Sequence, residues 1–138
     1  MRRFESARAV RLRTPTGRWL RLWVAESFGL RLIGLAGLAG LPPERGLLLP
    51  RCRSVHTAGM RFPIDVALIS WPPVRGGCDV VELWVTVPPL RIVALRGLPP
   101  ARSAALETAA GGLSRARVRS GGRLEVMAAP CVSRGAGG

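Results

Sequence analysis

The chain has 138 residues, with 21 basic against 8 acidic side chains and a formal net charge of +13 at pH 7. That length suits one domain with a working core, and 48% apolar residues exclude wholesale disorder. Every basic residue is Arg, and Lys, Asn, Gln and Tyr are absent. This bias points to nucleotide composition acting on codon choice, so Arg richness carries less functional meaning than usual.

No stretch reaches the roughly 18 apolar residues that span a bilayer. The best candidate, Leu32 to Pro42, is broken by Gly34, Gly37 and Gly40. Arg8, Arg11 and Arg13 interrupt any apolar run behind the first charges, which argues against a secretory signal. Cys52, Cys78 and Cys131 are odd in number and widely spaced, so no disulfide framework is expected. Reduced thiols in a cytoplasm are the expectation.

Along the chain, Ala9 to Arg13 and Arg18 to Ala25 alternate polar and apolar residues around Thr14-Pro15-Thr16-Gly17, which predicts a β-hairpin. Trp19 and Trp23 fall on its polar face. Ser27 caps an expected short helix toward Leu38, whose glycines demand tertiary support. Gly46 to Leu49 is a short apolar strand. Ile64 to Ile69 is almost wholly apolar and predicts a strand buried on both faces. Trp71 to Asp79 reads as an exposed Pro/Gly loop. Val80 to Val87 is the strongest strand, with Val81, Leu83, Val85 and Val87 opposed to Glu82, Trp84 and Thr86, and Leu90 to Leu95 resumes after Pro88-Pro89. The Ala-rich run Pro100 to Ala110 predicts a helix, Leu113 to Val118 a helical turn, and Arg123 to Met127 a last strand.

Charge is uneven. Residues 1–61 hold 12 Arg and 3 acids, residues 62–111 hold 4 of each, and residues 112–138 hold 5 Arg and 1 acid. A neutral middle between basic ends suggests non-specific polyanion binding, nucleic acid included, although zinc-finger spacing and base-stacking aromatics are missing. No paired ligand spacing supports a metal site, and no Gly-rich phosphate loop opens a helix, so neither a metal nor a cofactor is expected. In an extended chain Cys52 and His56 stand roughly 13 Å apart, too far for a nucleophile–base pair.

The one His lies in Ser54-Val55-His56-Thr57-Ala58-Gly59-Met60-Arg61-Phe62-Pro63-Ile64-Asp65, with Thr, Arg and Asp beside it. If residues 55–62 are extended, His56, Met60 and Phe62 share one side, and Thr57 and Arg61 the other. Pro63 would then fold Asp65 back toward Arg61. Asp79 falls in a loop and Glu82 on a polar strand face, which leaves Asp65 and Glu107 as partners for a buried Arg. The expected cluster is His56, Arg61 and Asp65, with Glu107 as fourth member and Thr57 beside them. It is either a paired structural network or the floor of a small polar site.

Several blocks of this chain resemble the uncharacterised domain-of-unknown-function family number 192. They are Gly34-Leu35, Leu41-Pro42, Glu44 to Leu49, Val55-His56-Thr57, Met60 to Val66, Leu106-Glu107 and Ala110-Gly111, within residues 18–127. The resemblance implies a small α+β domain with a curved, barrel-like, mostly antiparallel β-sheet and two or three short helices. It implies no activity. Residues 1–17 would be an N-terminal arm with a first strand, and residues 128–138 a frayed tail. The family often continues Leu-Glu as a strand, so any helix over 100–110 is expected only in its first half. Three functions follow: a non-enzymatic ligand-binding or accessory module with a polar site around His56 and Arg61, taking a small anionic or polar ligand; a hydrolase using His56 as base; or polyanion binding through the terminal Arg clusters.

Overall fold

The computed structural model describes residues 2–5 and 7–128. Cys131 and the rest of the expected tail beyond Ala128 lie outside them. Strands β1 (Ala9–Arg13) and β2 (Trp19–Val24) pair antiparallel, with Leu12 opposite Leu20 and Arg13 opposite Trp19. Thr14 closes the turn by accepting from the Arg18 amide at 3.1 Å. Val10, Leu12, Leu20, Leu22 and Val24 are buried on one side of the hairpin. Arg13, Trp19 and Arg21 are exposed on the other.

The next strand, β3 (Arg45–Pro50), joins β2 in parallel, Leu22 beside Gly46. Parallel neighbours need a long crossover, and residues 25–44 supply it. They carry α1 (Phe28–Ile33), capped where Ser27 Oγ accepts from the Leu30 amide at 3.1 Å. The helix stops at Gly34, at φ 53° and ψ −126°, and so falls short of Leu38. A backbone at positive φ cannot continue a right-handed helix, and Gly adopts it at least strain.

The remaining wall is antiparallel. Strand β8 (Ser103–Ala109) lies between β3 and β5 (Ile64–Ser70), and β5 pairs also with β6 (Gly77–Val87). Strand β9 (Arg123–Ala128) pairs with both β6 and β1 and closes a seven-stranded barrel in the order β1-β2-β3-β8-β5-β6-β9. Outside it, β4 (Ser54–His56) and β7 (Ile92–Ala94) form a two-stranded ribbon. A short α2 (Gly112–Arg115) follows β8. This is the expected α+β barrel with short helices.

Two apolar layers result from strand alternation. One fills the barrel with residues such as Leu12, Leu22, Leu48, Ile69 and Leu106. The other lies on the outer wall, where Leu47, Leu49, Val66 and Leu68 meet Leu35, Val55, Met60 and Val93 from the crossover and ribbon. Strand β5 is therefore buried on both faces, as its apolar run predicts.

Four expectations need correction. Residues 100–110 are not a helix: a 3-10 turn at Pro100–Arg102 leads into β8. The exposed loop ends before Gly77, since Asp79 already lies in β6. The alternation along β6 breaks because the β5–β6 register shifts between Ile64 and Val66 and again between Leu68 and Ile69. Leu83 thus packs with the barrel interior, Val81 and Trp84 with the outer layer, and Val85 is 63% exposed. Residues 55–62 are not extended throughout: after β4 the chain turns, with the Met60 amide donating to the Thr57 carbonyl at 3.1 Å and Gly59 at φ 78°.

Candidate functional site

Glu107 lies in the middle of β8, between Leu47 of β3 and Val66 of β5. It shares Ala105's outward side, so its carboxyl enters the outer apolar layer. It is 3% exposed, and its Oε2 is buried without a hydrogen-bond partner. Burial pushes the carboxyl from an ordinary 4.5 up to about 8. At neutral pH it is therefore mainly a neutral acid, able to donate and to accept. A Cβ on Gly34 would stand 3.8 Å from that oxygen. The end of α1 thus sits close over the carboxyl.

The carboxyl lies at the bottom of a cleft of about 660 Å³. Residues 31–36 form one wall, and Leu49, residues 51–56 and Met60 form the other. Backbone and arginine bonds hold the walls. Arg3 Nη1 donates to the carbonyls of Gly34 at 3.0 Å and Ala36 at 2.7 Å. The Gly37 amide donates to the Gly59 carbonyl at 3.0 Å. Arg31 Nη2 donates to the Arg51 carbonyl at 3.0 Å, linking the two walls. Leu35, Leu49, Val55 and Met60 are buried beside the floor, while Arg31, Arg51, Arg53 and His56 are exposed around the mouth.

The expected cluster is split. His56 and Glu107 line one cleft. Thr57 is buried elsewhere: its hydroxyl donates to the Pro88 carbonyl at 2.7 Å and accepts from the Arg91 amide at 2.8 Å, which pins the ribbon. Asp65 faces the other side of the wall. Its Oδ1 accepts from the Thr86 amide at 2.8 Å, beside the β5–β6 irregularity, and its Oδ2 from the Gly111 amide at 2.9 Å. Arg61 is exposed, and the ion pairs among the described residues are Arg8–Glu26 and Arg123–Asp79. The pairing of Arg61 with Asp65 is thus corrected. The turn at 57–60 redirects the chain, and backbone amides supply what the carboxylate of Asp65 requires.

Arg31, Arg51 and Arg53 carry no signal in the sequence that marks them as site residues. Gly34 reads there only as a helix-weakening glycine and a family position, and the sequence argues against Cys52 as a nucleophile, metal ligand or disulfide partner. Cys52 lines the cleft. Its thiol donates to the Ser54 carbonyl at 2.9 Å, and burial pushes its pKa up. A thiol held protonated and bonded to a carbonyl is a poor nucleophile, so Cys52 and His56 do not form an activated pair. Among the described residues no three His, Cys, Asp or Glu side chains gather as metal ligands.

The profile of one protein family, DUF192 (uncharacterized ACR), matches residues 11–126. The chain belongs to the DUF192 family. Two solved structures share the DUF192 barrel. One is a Sinorhizobium meliloti 1021 protein, provisionally described as a transcription regulator. It has TM-score 0.65 and 23% identity, covering 88% of this chain and 92% of that one. The other, a protein of unknown function from Novosphingobium aromaticivorans DSM 12444, has TM-score 0.67 and 18% identity, covering 86% and 83%. At these identities the likeness is one of fold. No curated protein matches this DUF192 chain significantly.

Proposed function

We propose that this DUF192 domain is a non-enzymatic small-molecule-binding module, and that its ligand occupies the cleft above Glu107. One observation carries the reading: a carboxyl oxygen buried without a partner and placed at the bottom of a cleft. A buried polar atom left unsatisfied costs free energy in the empty protein, and a ligand that supplies its hydrogen bond recovers it. Concave, mainly apolar clefts with few polar groups are the usual form of small-molecule sites. The alternative of a hydrolase with His56 as base has less support, because the imidazole is exposed at the mouth and no hydrogen bond or ion pair among the described residues orients it.

The test is an NMR fragment screen of the full chain with mixtures of organic acids, amides, amines and polyols. Binders should shift the amides of Gly34, Cys52 and Val55, and Glu107→Leu should weaken them. Binders that leave those amides unmoved, or that bind Glu107→Leu as well as the parent, would overturn the reading.

A second reading rests on the β1–β2 hairpin. Arg11 and Arg13 both lie over the Trp19 ring, at 5.1 and 5.7 Å from its centroid, and Arg21 pairs across from Arg11. This face is a candidate for non-specific polyanion contact. Binding of a labelled single strand should be sequence-independent and fall steeply with salt. Sequence-selective binding that survives raised salt would contradict it.

A further inference from the structure

The cleft is graded in depth. Its floor is the Glu107 carboxyl, with Oε2 unpaired. Above the floor lie the buried side chains of Leu35, Leu49, Val55 and Met60. The mouth is cationic, with the exposed Arg31, Arg51 and Arg53 and the imidazole of His56. The one acid at the mouth, Glu26, is engaged with Arg8 at 2.9 Å. Cys52 has its thiol committed to the Ser54 carbonyl.

Each layer rejects a class of molecule. A cation meets the arginines first and is repelled. A polyol leaves the buried apolar side chains of Leu35, Leu49, Val55 and Met60 without an apolar counterpart. A purely apolar molecule leaves Oε2 unpaired and the guanidinium groups unused. What satisfies all three layers is a molecule with a neutral hydrogen-bonding end, an apolar body and an anionic end. Guanidinium groups suit that anionic end, since they pair with carboxylates through two parallel hydrogen bonds.

We propose that the Glu107 cleft selects a small organic acid whose apolar body separates the carboxylate from a hydroxyl or carbonyl at the far end. This inference rests on the cleft being a ligand site. The polar end exchanges a hydrogen bond with Glu107, the body lies against Leu35, Leu49, Val55 and Met60, and the carboxylate lies among the mouth arginines. The volume of about 660 Å³ admits a single-ring molecule of this kind with room to spare.

Four probes of common shape test it on the full chain: 4-hydroxyphenylacetate, its primary amide, tyramine and phenylacetate. The hydroxy acid should bind about tenfold more tightly than the amide, the worth of one charge-assisted hydrogen bond, and tyramine should bind most weakly. The double variant Arg51→Ser/Arg53→Ser should cut the preference of acid over amide, weakening the acid several-fold more than the amide. Phenylacetate, which lacks the hydroxyl, should bind more weakly than the hydroxy acid, and Glu107→Leu should abolish that difference. Tyramine binding as well as the acid, with Gly34 and Cys52 amides shifting, would overturn the anion class while keeping the cleft as a site. Millimolar additions of all four that leave those amides unmoved would overturn both.

Discussion

Glu107 and Asp65 are both buried carboxyls, yet their surroundings treat them oppositely. Asp65 is satisfied by two backbone amides, those of Thr86 and Gly111. Hydrogen bonds to a charged acceptor contribute roughly 1.5–3 kcal/mol each. Asp65→Asn keeps one acceptor and turns a donor toward an amide, so chemical denaturation should show a loss of about 2–4 kcal/mol. Glu107 has no such support, and its carboxyl is pushed up to about 8. Below pH about 4.5 the group is protonated in both folded and unfolded chains, and its ionisation leaves stability unchanged. As pH rises toward 8 the unfolded chain gains from ionisation while the folded chain does not, so stability falls, and above 8 the loss levels off. At 1.36 kcal/mol per pH unit the ceiling is about 5 kcal/mol. Glu107→Gln should therefore match the parent near pH 4 and exceed it in melting temperature by a margin that widens to pH 8. A margin independent of pH would show that Glu107 ionises normally in the fold. A residue that destabilises its own protein in this way fits a binding role better than a structural one.

Among the elements, β3 meets its neighbours without room for a side chain at Gly46. A Cβ on Gly46 would lie 2.5 Å from the Glu107 carbonyl oxygen and 2.8 Å from Leu22 Cδ2. Gly46→Ala must push β3 away from β2 or β8, and it should cost about 2–4 kcal/mol in denaturant titration, with β3 amides exchanging faster. The strands with an alternating or wholly apolar pattern, β1, β2, β3 and β5, were legible because burial and period agree in them. Strand β8 was not, since Ala104, Ala105 and Ala109 favour a helix locally. Its place between β3 and β5, with both faces covered, overrides that propensity. The family resemblance foresaw the second half of the strand, at Leu106-Glu107, whereas the part from Ser103 was expected to be helical. The candidate site was half legible. His56 and Glu107 could be singled out as rare polar groups in apolar company. Which carboxyl faced the cleft depended on strand parity across a wall whose register shifts at two points along β5, and no local pattern encodes that. The mouth arginines Arg31, Arg51 and Arg53 were three among 21, with no local pattern to single them out.

For the molecule as a whole, charge and closure set the terms. No helix among the described residues is long and apolar enough to cross a membrane. The basic surface and the buried acid lie on separate parts of the barrel, so polyanion contact and cleft binding can be abolished independently: substitution at Arg11 and Arg13 should leave fragment binding at the cleft unchanged. Closure itself governs how the fold is reached. Strand β9 is the seam, pairing with β1 through Val10 and Ala128 and with β6 through Cys78 and Leu124. A contact that joins the first strand to the last must wait for the whole intervening chain to be confined, which favours refolding in milliseconds to seconds rather than microseconds. On a ribosome the barrel stays open until β9 has left the exit tunnel, with the edges of β1 and β6 offering unpaired amides and carbonyls in the meantime. A chain ending at Ser120 would keep both edges open for good, and such edges recruit other strands. That truncation should accumulate as aggregate during cell-free synthesis while the full chain stays dispersed.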